Sequence, residues 1–318
     1  TEIYTLSLHD ALPIYNHSHL PYAFLTDAGL VRDHNEDCLA ITAFGPVSEL
    51  VPESLLCVLC DGVGGHLGGE TASRLAVDQI TTFIEGSDAS DPVVQLTHAI
   101  QTASNLVWQT AQTTADLRGM ASTASLAWLI GKRLFIASVG DSRIYLVKRG
   151  RIHQISIDHT WLQEALDAKL ITPAEVKGHP NAHVIRRYVG SEAPPEVDTR
   201  FKINDSQGQN QGIQLDNGDM LFMCSDGITD LIQPGEILSA IKEEHDLEAA
   251  LENLKKLAYE RGANDNLSMI LVKIPNANPP ATRKKKLLRL LLFAVILLLA
   301  SFVGIYLGWM VLSNPNFP

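Results

Sequence analysis

The sequence predicts an α+β fold followed by a single transmembrane helix. Three observations carry this reading. Ten short apolar segments have the length of strands, and several are joined by turns such as Gly131-Lys132 and Arg149-Gly150 that suit antiparallel hairpins. Helical blocks fall in pairs between runs of strands instead of alternating with them, which disfavours a βαβ sheet. Residues 290–312 form a 23-residue run without a charged side chain.

In chain order, strands are expected at 22–26, 38–43 and 55–60, the last ending in Asp61 and a glycine-rich stretch. A helix over 69–84 follows the glycines, and one over 92–115 follows an acidic loop. Strands at 122–130, 133–139, 143–148 and 152–155 are separated by short turns. Short helices at 161–168 and 173–177 precede strands at 197–203 and 220–224. Helices at 234–243 and 247–261 and a strand at 268–274 complete the domain. Residues 205–212, DSQGQNQG, read as a polar loop. No internal repeat is visible.

The two ends stand apart from this domain. A common sequencing-library adapter translates in frame to LSLHDALPI, the sequence of residues 6–14, so residues 1–14 are read as an artefact and set aside. Residues 15–275 are long enough for one sizeable core. Residues 276–289 form a linker with Pro279-Pro280 and a basic flank of Arg283, Lys284, Lys285, Lys286 and Arg289. The run 290–312 would span ~35 Å as a helix, enough for a ~30 Å hydrocarbon core. The basic flank is expected to stay in the cytoplasm, with Tyr306 and Trp309 near the far interface and 313–318 as a short tail. This predicts a single-pass protein of the inner (cytoplasmic) membrane, in contact with lipid through that helix, with its domain in the cytoplasm.

Charge and cysteines narrow the function. Outside the two ends, 20 Lys+Arg face 34 Asp+Glu, a balance that argues against nucleic acid as a partner. The four cysteines include Cys57 and Cys60 in LLCVLC. Their odd spacing on a strand points them to opposite faces, so they cannot share a metal or a disulfide there. They are read as small core residues in a reducing compartment.

Four acidic clusters lie at strand ends: Arg32-Asp33-His34-Asn35-Glu36-Asp37, Asp61-Gly62, Ser225-Asp226-Gly227 and Asn264-Asp265-Asn266. One alone would be read as a turn. Four at strand ends suggest convergence, and carboxylates without His or Cys suit hard divalent cations such as Mg²⁺ or Mn²⁺. A metal pair can activate water and clamp a phosphoryl oxygen. Arg32 offers a planar fork for phosphate, or else a salt bridge to Asp33 or Asp37. The glycines do not fit a nucleotide loop. Leu67 stands where a dinucleotide fingerprint needs Gly, and no G-x-x-x-x-G-K-[ST] occurs.

The ordered series DAGLVRDHNED, VLCDGVGGH, DLRGMASTA, ASVGDSRIYL, the long stretch from ISIDHTWL to VIRRYVG, MLFMCSDGITDLI and GANDNLSMILV resembles the metal-dependent protein serine/threonine phosphatases of type 2C, in their bacterial form. The resemblance runs from about residue 25 to 274. It implies a four-layer α-β-β-α sandwich of two antiparallel sheets flanked by helices, with metals at one edge. It also implies a Mn²⁺- or Mg²⁺-dependent hydrolysis of phosphoserine and phosphothreonine, in which a metal-bound hydroxide attacks phosphorus in line. Carried onto this chain, it makes Asp37 and Asp61 holders of a metal pair, with Asp61 bridging and Gly62 giving its carbonyl. Glu36 acts directly or through water. Asp226 and Asp265 complete the first metal, and Arg32 binds phosphate. Asp116 is implied as a ligand of a weaker third ion shared with Asp226, and Asp230 as a supporting acid.

The chain departs from the family pattern in places. Val63 stands where animal members place a histidine thought to protonate the leaving group, so His66 is the catalytic candidate, alongside a structural role for it. Ala121 and Ser122 replace a common Gly and Thr, which should alter packing more than chemistry. Asp141-Ser142-Arg143 reads as a turn with structural hydrogen bonds, and His159 as non-catalytic. Residues 160–190 resemble the family's mobile flap. Phosphorylated cytoplasmic proteins are the expected substrates and a Ser/Thr protein kinase the expected counterpart. The alternatives are a non-catalytic, membrane-bound phosphoprotein sensor and a scaffold holding structural Ca²⁺.

Overall fold

The computed structural model describes residues 4–5, 18–45, 52–64, 67–87, 89–176, 178–181, 183–203, 206–208, 212–244 and 246–276. The run 290–312, its basic flank, the tail, His66 and nearly all of residues 1–14 lie outside these. Among the described residues, no helix is long and apolar enough to cross a membrane.

Two antiparallel sheets form the centre. The first orders Cys38–Phe44, Ser54–Cys60, Ala124–Ile130 and Arg133–Val139, with two-residue edges at Tyr4–Thr5 and Ile213–Gln214. The second orders Arg151–Gln154, Arg143–Lys148, Met220–Cys224, Leu267–Lys273 and Tyr22–Asp27. Helices Leu67–Glu85 and Pro92–Thr113 cover the first sheet, and Pro234–Glu243 and Leu247–Glu260 the second.

Side-chain alternation explains why the layers stack this way. Every residue of Ser54–Cys60 is buried. Leu55, Cys57 and Leu59 face Leu146, Leu221, Met223 and Ile270 between the sheets. Leu56, Val58 and Cys60 face the first helix pair through Ile80, Leu96 and Ile100. A period-two chain that is apolar on both faces needs cover on both sides. Cys57 and Cys60 thus sit in different cores, and all four cysteines are free. Burial pushes the Cys57 thiol up to about 12, which keeps it protonated and inert.

Several expected elements differ. The segment 122–130 breaks at Thr123, because Ala121–Ser122 leaves the sheet to pair with Gly62–Val63. Of 197–203, only Phe201–Ile203 is a strand; it pairs with Ser206–Gly208, inside the stretch expected to be loop. Asp198 makes a lone bridge to Ser138. Residues Pro173–Glu175 form a 3-10 turn closed by a Thr172–Glu175 capping box. The short helix Asp226–Thr229 was not expected.

Candidate active site

The acid-bearing segments meet where strands of both sheets end. Strand Tyr22–Asp27 runs into the Arg32 loop, and that loop is held against the segment before Leu267–Lys273. Gly29 has φ +78, and a Cβ there would sit 2.3 Å from the Asp265 carbonyl oxygen. Only glycine permits this approach. Leu30 N donates to Ala263 O at 2.9 Å. Asn266 finishes the clamp: its Nδ2 donates to Ala28 O and His34 O, and its Oδ1 accepts from Glu36 N at 2.9 Å.

Asp37 is held by Ser225, whose Oγ donates to its Oδ2 at 2.8 Å. Its Oδ1 is buried without a hydrogen-bond partner. Burial pushes its carboxyl up to about 7, with Asp226 and Asp265 adding repulsion and the Ser268 and Ser225 hydroxyls opposing it. Asp61 follows strand Ser54–Cys60. Its amide donates to Thr123 Oγ1 at 2.9 Å, and its carbonyl accepts from Thr123 N and Ser122 Oγ. The Ser122 hydroxyl therefore takes part in holding the Asp61 backbone. Burial, then Asp37, Asp226 and Asp141, push the Asp61 carboxyl well above its ordinary value. Asp61 and Asp226 lie within hydrogen-bonding reach of each other. Asp226 is itself raised by burial and by Asp230 and Asp265.

Arg32 is a cation at this site. It pairs with Asp265 through Nη2 at 2.8 Å, not with Asp33 or Asp37 of its own loop. About half its side chain is exposed, so its remaining donors can reach a ligand. Glu36 lies against the glycine stretch: a Cβ on Gly69 would meet its Oε2 at 2.0 Å.

The structure thus brings Asp37, Asp61, Asp226 and Asp265 together, with Glu36, Gly62 and Arg32 beside them. Asp116 is exposed on the 3-10 turn Ala115–Leu117. A further acid beside Asp61 and Asp226 is Asp141. It is buried, its Oδ1 has no partner, and burial followed by Asp226 and Asp158 pushes it up to about 7. Asp141 lies just past strand Arg133–Val139, with Gly140 between, at a strand end like the other clusters, where the sequence reads as a turn. Ser142 does have the structural role expected of that turn, bonding Thr123 Oγ1 at 2.8 Å. Arg143 forks onto Asp158. His159 is buried and accepts from Gly140 N through Nδ1, which marks it as a fold residue.

The flap reaches the cluster through His183. Its Nδ1 is 3.6 Å from Asp230 Oδ2, and ligand atoms of His183, Asp226 and Asp230 all lie within 4.8 Å of one another.

Buried carboxylates that repel each other and leave oxygens unpartnered are unfavourable alone. Oxygen donors in this arrangement suit hard divalent cations, so the residues fit a metal cluster.

A sandwich of two sheets with acids and an arginine at one edge defines a metal-type phosphohydrolase scaffold. The protein phosphatase 2C family model matches residues 34–272, and the chain belongs to that family. It is 30% identical over 256 residues to the serine/threonine protein phosphatase PstP of Mycobacterium tuberculosis, which covers 80% of this chain but 45% of PstP. The chain therefore spans about half the length of that relative. The solved serine/threonine phosphatase of S. agalactiae is 28% identical with a TM-score of 0.71, covering 80% of this chain and 100% of that one. A PstP catalytic domain solved in complex with two manganese ions is 29% identical with a TM-score of 0.65, covering 81% and 99%.

Proposed function

We propose that this protein is a divalent-metal-dependent phosphatase that removes phosphate from phosphoserine and phosphothreonine of proteins. The observation that carries the reading is the meeting of Asp37, Asp61, Asp226 and Asp265, from four separate segments, beside Arg32. Asp37, Asp61, Asp226 and Asp265 would hold two Mn²⁺ or Mg²⁺ ions, with the Gly62 carbonyl and Glu36 contributing. Asp226 and Asp141, rather than Asp116, would hold a third. Such ions, when bound, supply Lewis-acid activation of water and neutralise charge on phosphoryl oxygens.

The chain's own groups do the rest. Arg32 binds the phosphoryl oxygens through the donors that Asp265 leaves free. Ser225 and Asn266 fix Asp37 and the Arg32 loop, while Thr123 and Ser122 fix the Asp61 backbone. That preorganisation keeps the carboxylates from shifting as charge develops. His66 remains the proposed proton donor to the leaving oxygen.

The reading extends to the cell. The uncharged run 290–312 and its basic flank support a single-pass anchor in the cytoplasmic membrane with the domain in the cytoplasm. Phosphoproteins there, made by a Ser/Thr kinase, are the proposed substrates.

Hydrolysis of p-nitrophenyl phosphate and of a phosphothreonine peptide, with Mn²⁺ and then with chelator, tests the activity. Asp61→Asn and Asp226→Asn should remain folded and lose nearly all metal-dependent turnover. Undiminished rates in both would refute the assignment. Fractionation of cells expressing chains with and without 290–312 tests the anchor.

A further inference from the structure

A cavity of about 320 Å³ opens beside the acid cluster. It is lined by Trp108 and Ala111 of helix Pro92–Thr113, by Met120, and by Ile185 and Tyr188 of the flap. No Asp, Glu, Lys or Arg lines it among the described residues. The cavity touches the cluster at two points. Val63, directly after Gly62, is 42% exposed and faces it. His183 lines it as well, while its ring sits against Asp230 and Asp226.

A ligand whose phosphoryl group lies at Arg32 and the acids therefore has an apolar recess within reach. Two residues of extended chain span ~7 Å. The volume is at the small end for a ligand pocket and suits one large side chain. An uncharged lining in a domain with a surplus of acids disfavours an acidic neighbour.

We propose that this cavity receives the apolar side chain, aliphatic or aromatic, of a residue within two positions of the phosphorylated serine or threonine, so that the protein selects phosphoproteins by that neighbour. This rests on the phosphatase reading. Trp108, Ala111, Ile185 and Tyr188 are then specificity-determining residues that take no part in the chemistry.

The test uses the full chain with Mn²⁺ and phosphothreonine peptides that differ at one position, scanned two places to either side. Leu or Phe at the matching position should raise kcat/KM about tenfold over Asp or Gly, through KM. Ala111→Phe fills the cavity, and Tyr188→Asp places a charge at its mouth. Both should abolish the preference while p-nitrophenyl phosphate turnover stays within about twofold of the parent. The second variant keeps the test open if the first unfolds. Turnover of every peptide with no preference, or a preference unaffected in both folded variants, would overturn the proposal. No hydrolysis of either compound would instead overturn the phosphatase reading, and this inference with it.

Discussion

Ser225 Oγ donates to Asp37 Oδ2 at 2.8 Å while accepting from Ser268 N at 3.1 Å. One hydroxyl thus ties the loop before strand Cys38–Phe44 of the first sheet to two neighbouring strands of the second. The site is a seam between sheets, and its geometry depends on such crosslinks as much as on the acids.

Ser225→Ala tests this seam. It leaves the Ser268 amide unpaired in a fully buried place and removes a hydrogen bond to a carboxylate, a loss of about 2 kcal/mol in unfolding free energy. Mn²⁺ affinity, read by calorimetric titration, should fall roughly tenfold, since Asp37 is no longer oriented. Unchanged stability and affinity would remove Ser225 from the site.

Asp141 and Asp116 make opposite predictions. Asp141 is buried and acts on Asp226 and Asp61, whereas Asp116 is exposed. Asp141→Asn should lower turnover at limiting Mn²⁺ by about tenfold or more and shift the metal titration to higher concentration. Asp116→Asn should leave both within about twofold, as surface changes usually do. The reverse result would restore Asp116 to the third-ion position.

The raised carboxyls set a pH dependence for the metal-free protein. Asp37 and Asp141 stand at about 7, against about 4 in an unfolded chain. Between these values the folded state binds more protons than the unfolded one, so these groups' contribution falls as pH rises from about 4 to 7. With chelator present, Tm should drop across that interval. The Tm gain on adding Mn²⁺ should grow over the same interval, with protons released on binding. A chelated protein whose Tm rises from pH 5 to 7.5, with no change in the Mn²⁺ gain, would contradict this assignment (range set by those two values).

How far the sequence could be read follows from what each residue answers to. Strands Arg133–Val139, Arg143–Lys148 and Met220–Cys224 match expectation end to end, because period two and the flanking turns are local signals. The opposite facing of Cys57 and Cys60 is local for the same reason. Thr123 breaks its segment because its amide is needed by the Asp61 carbonyl, a contact 62 residues away along the chain. Asp116 stands beside a recognisable motif and is legible for that reason, while the burial of Asp141 follows from packing such as that of Gly140 on Thr123, which no local pattern carries. Arg32 found Asp265, not its own loop, because Gly29 brings two distant loops into contact.

Gly62 gives the sharpest test of why glycine follows Asp61. A Cβ there would stand 2.2 Å from the Gly69 carbonyl oxygen and 2.6 Å from the Glu36 carbonyl oxygen. Both neighbours are backbone, and Gly62 N already donates to Glu36 O at 3.1 Å, so neither can yield without moving the start of helix Leu67–Glu85 or the loop that carries Glu36 and Asp37. Gly62→Ala should cost about 3 kcal/mol in unfolding free energy and, by shifting Asp61 relative to Asp37, about a hundredfold in kcat/KM. Gly119 is the control. It has φ +79 but open space around it, so Gly119→Ala carries only backbone strain, about 1 kcal/mol, and should keep its turnover. Urea unfolding and p-nitrophenyl phosphate kinetics on the two variants separate the cases. If Gly62→Ala behaved like Gly119→Ala, the close approach of backbone at Asp61 would not be what positions the acids.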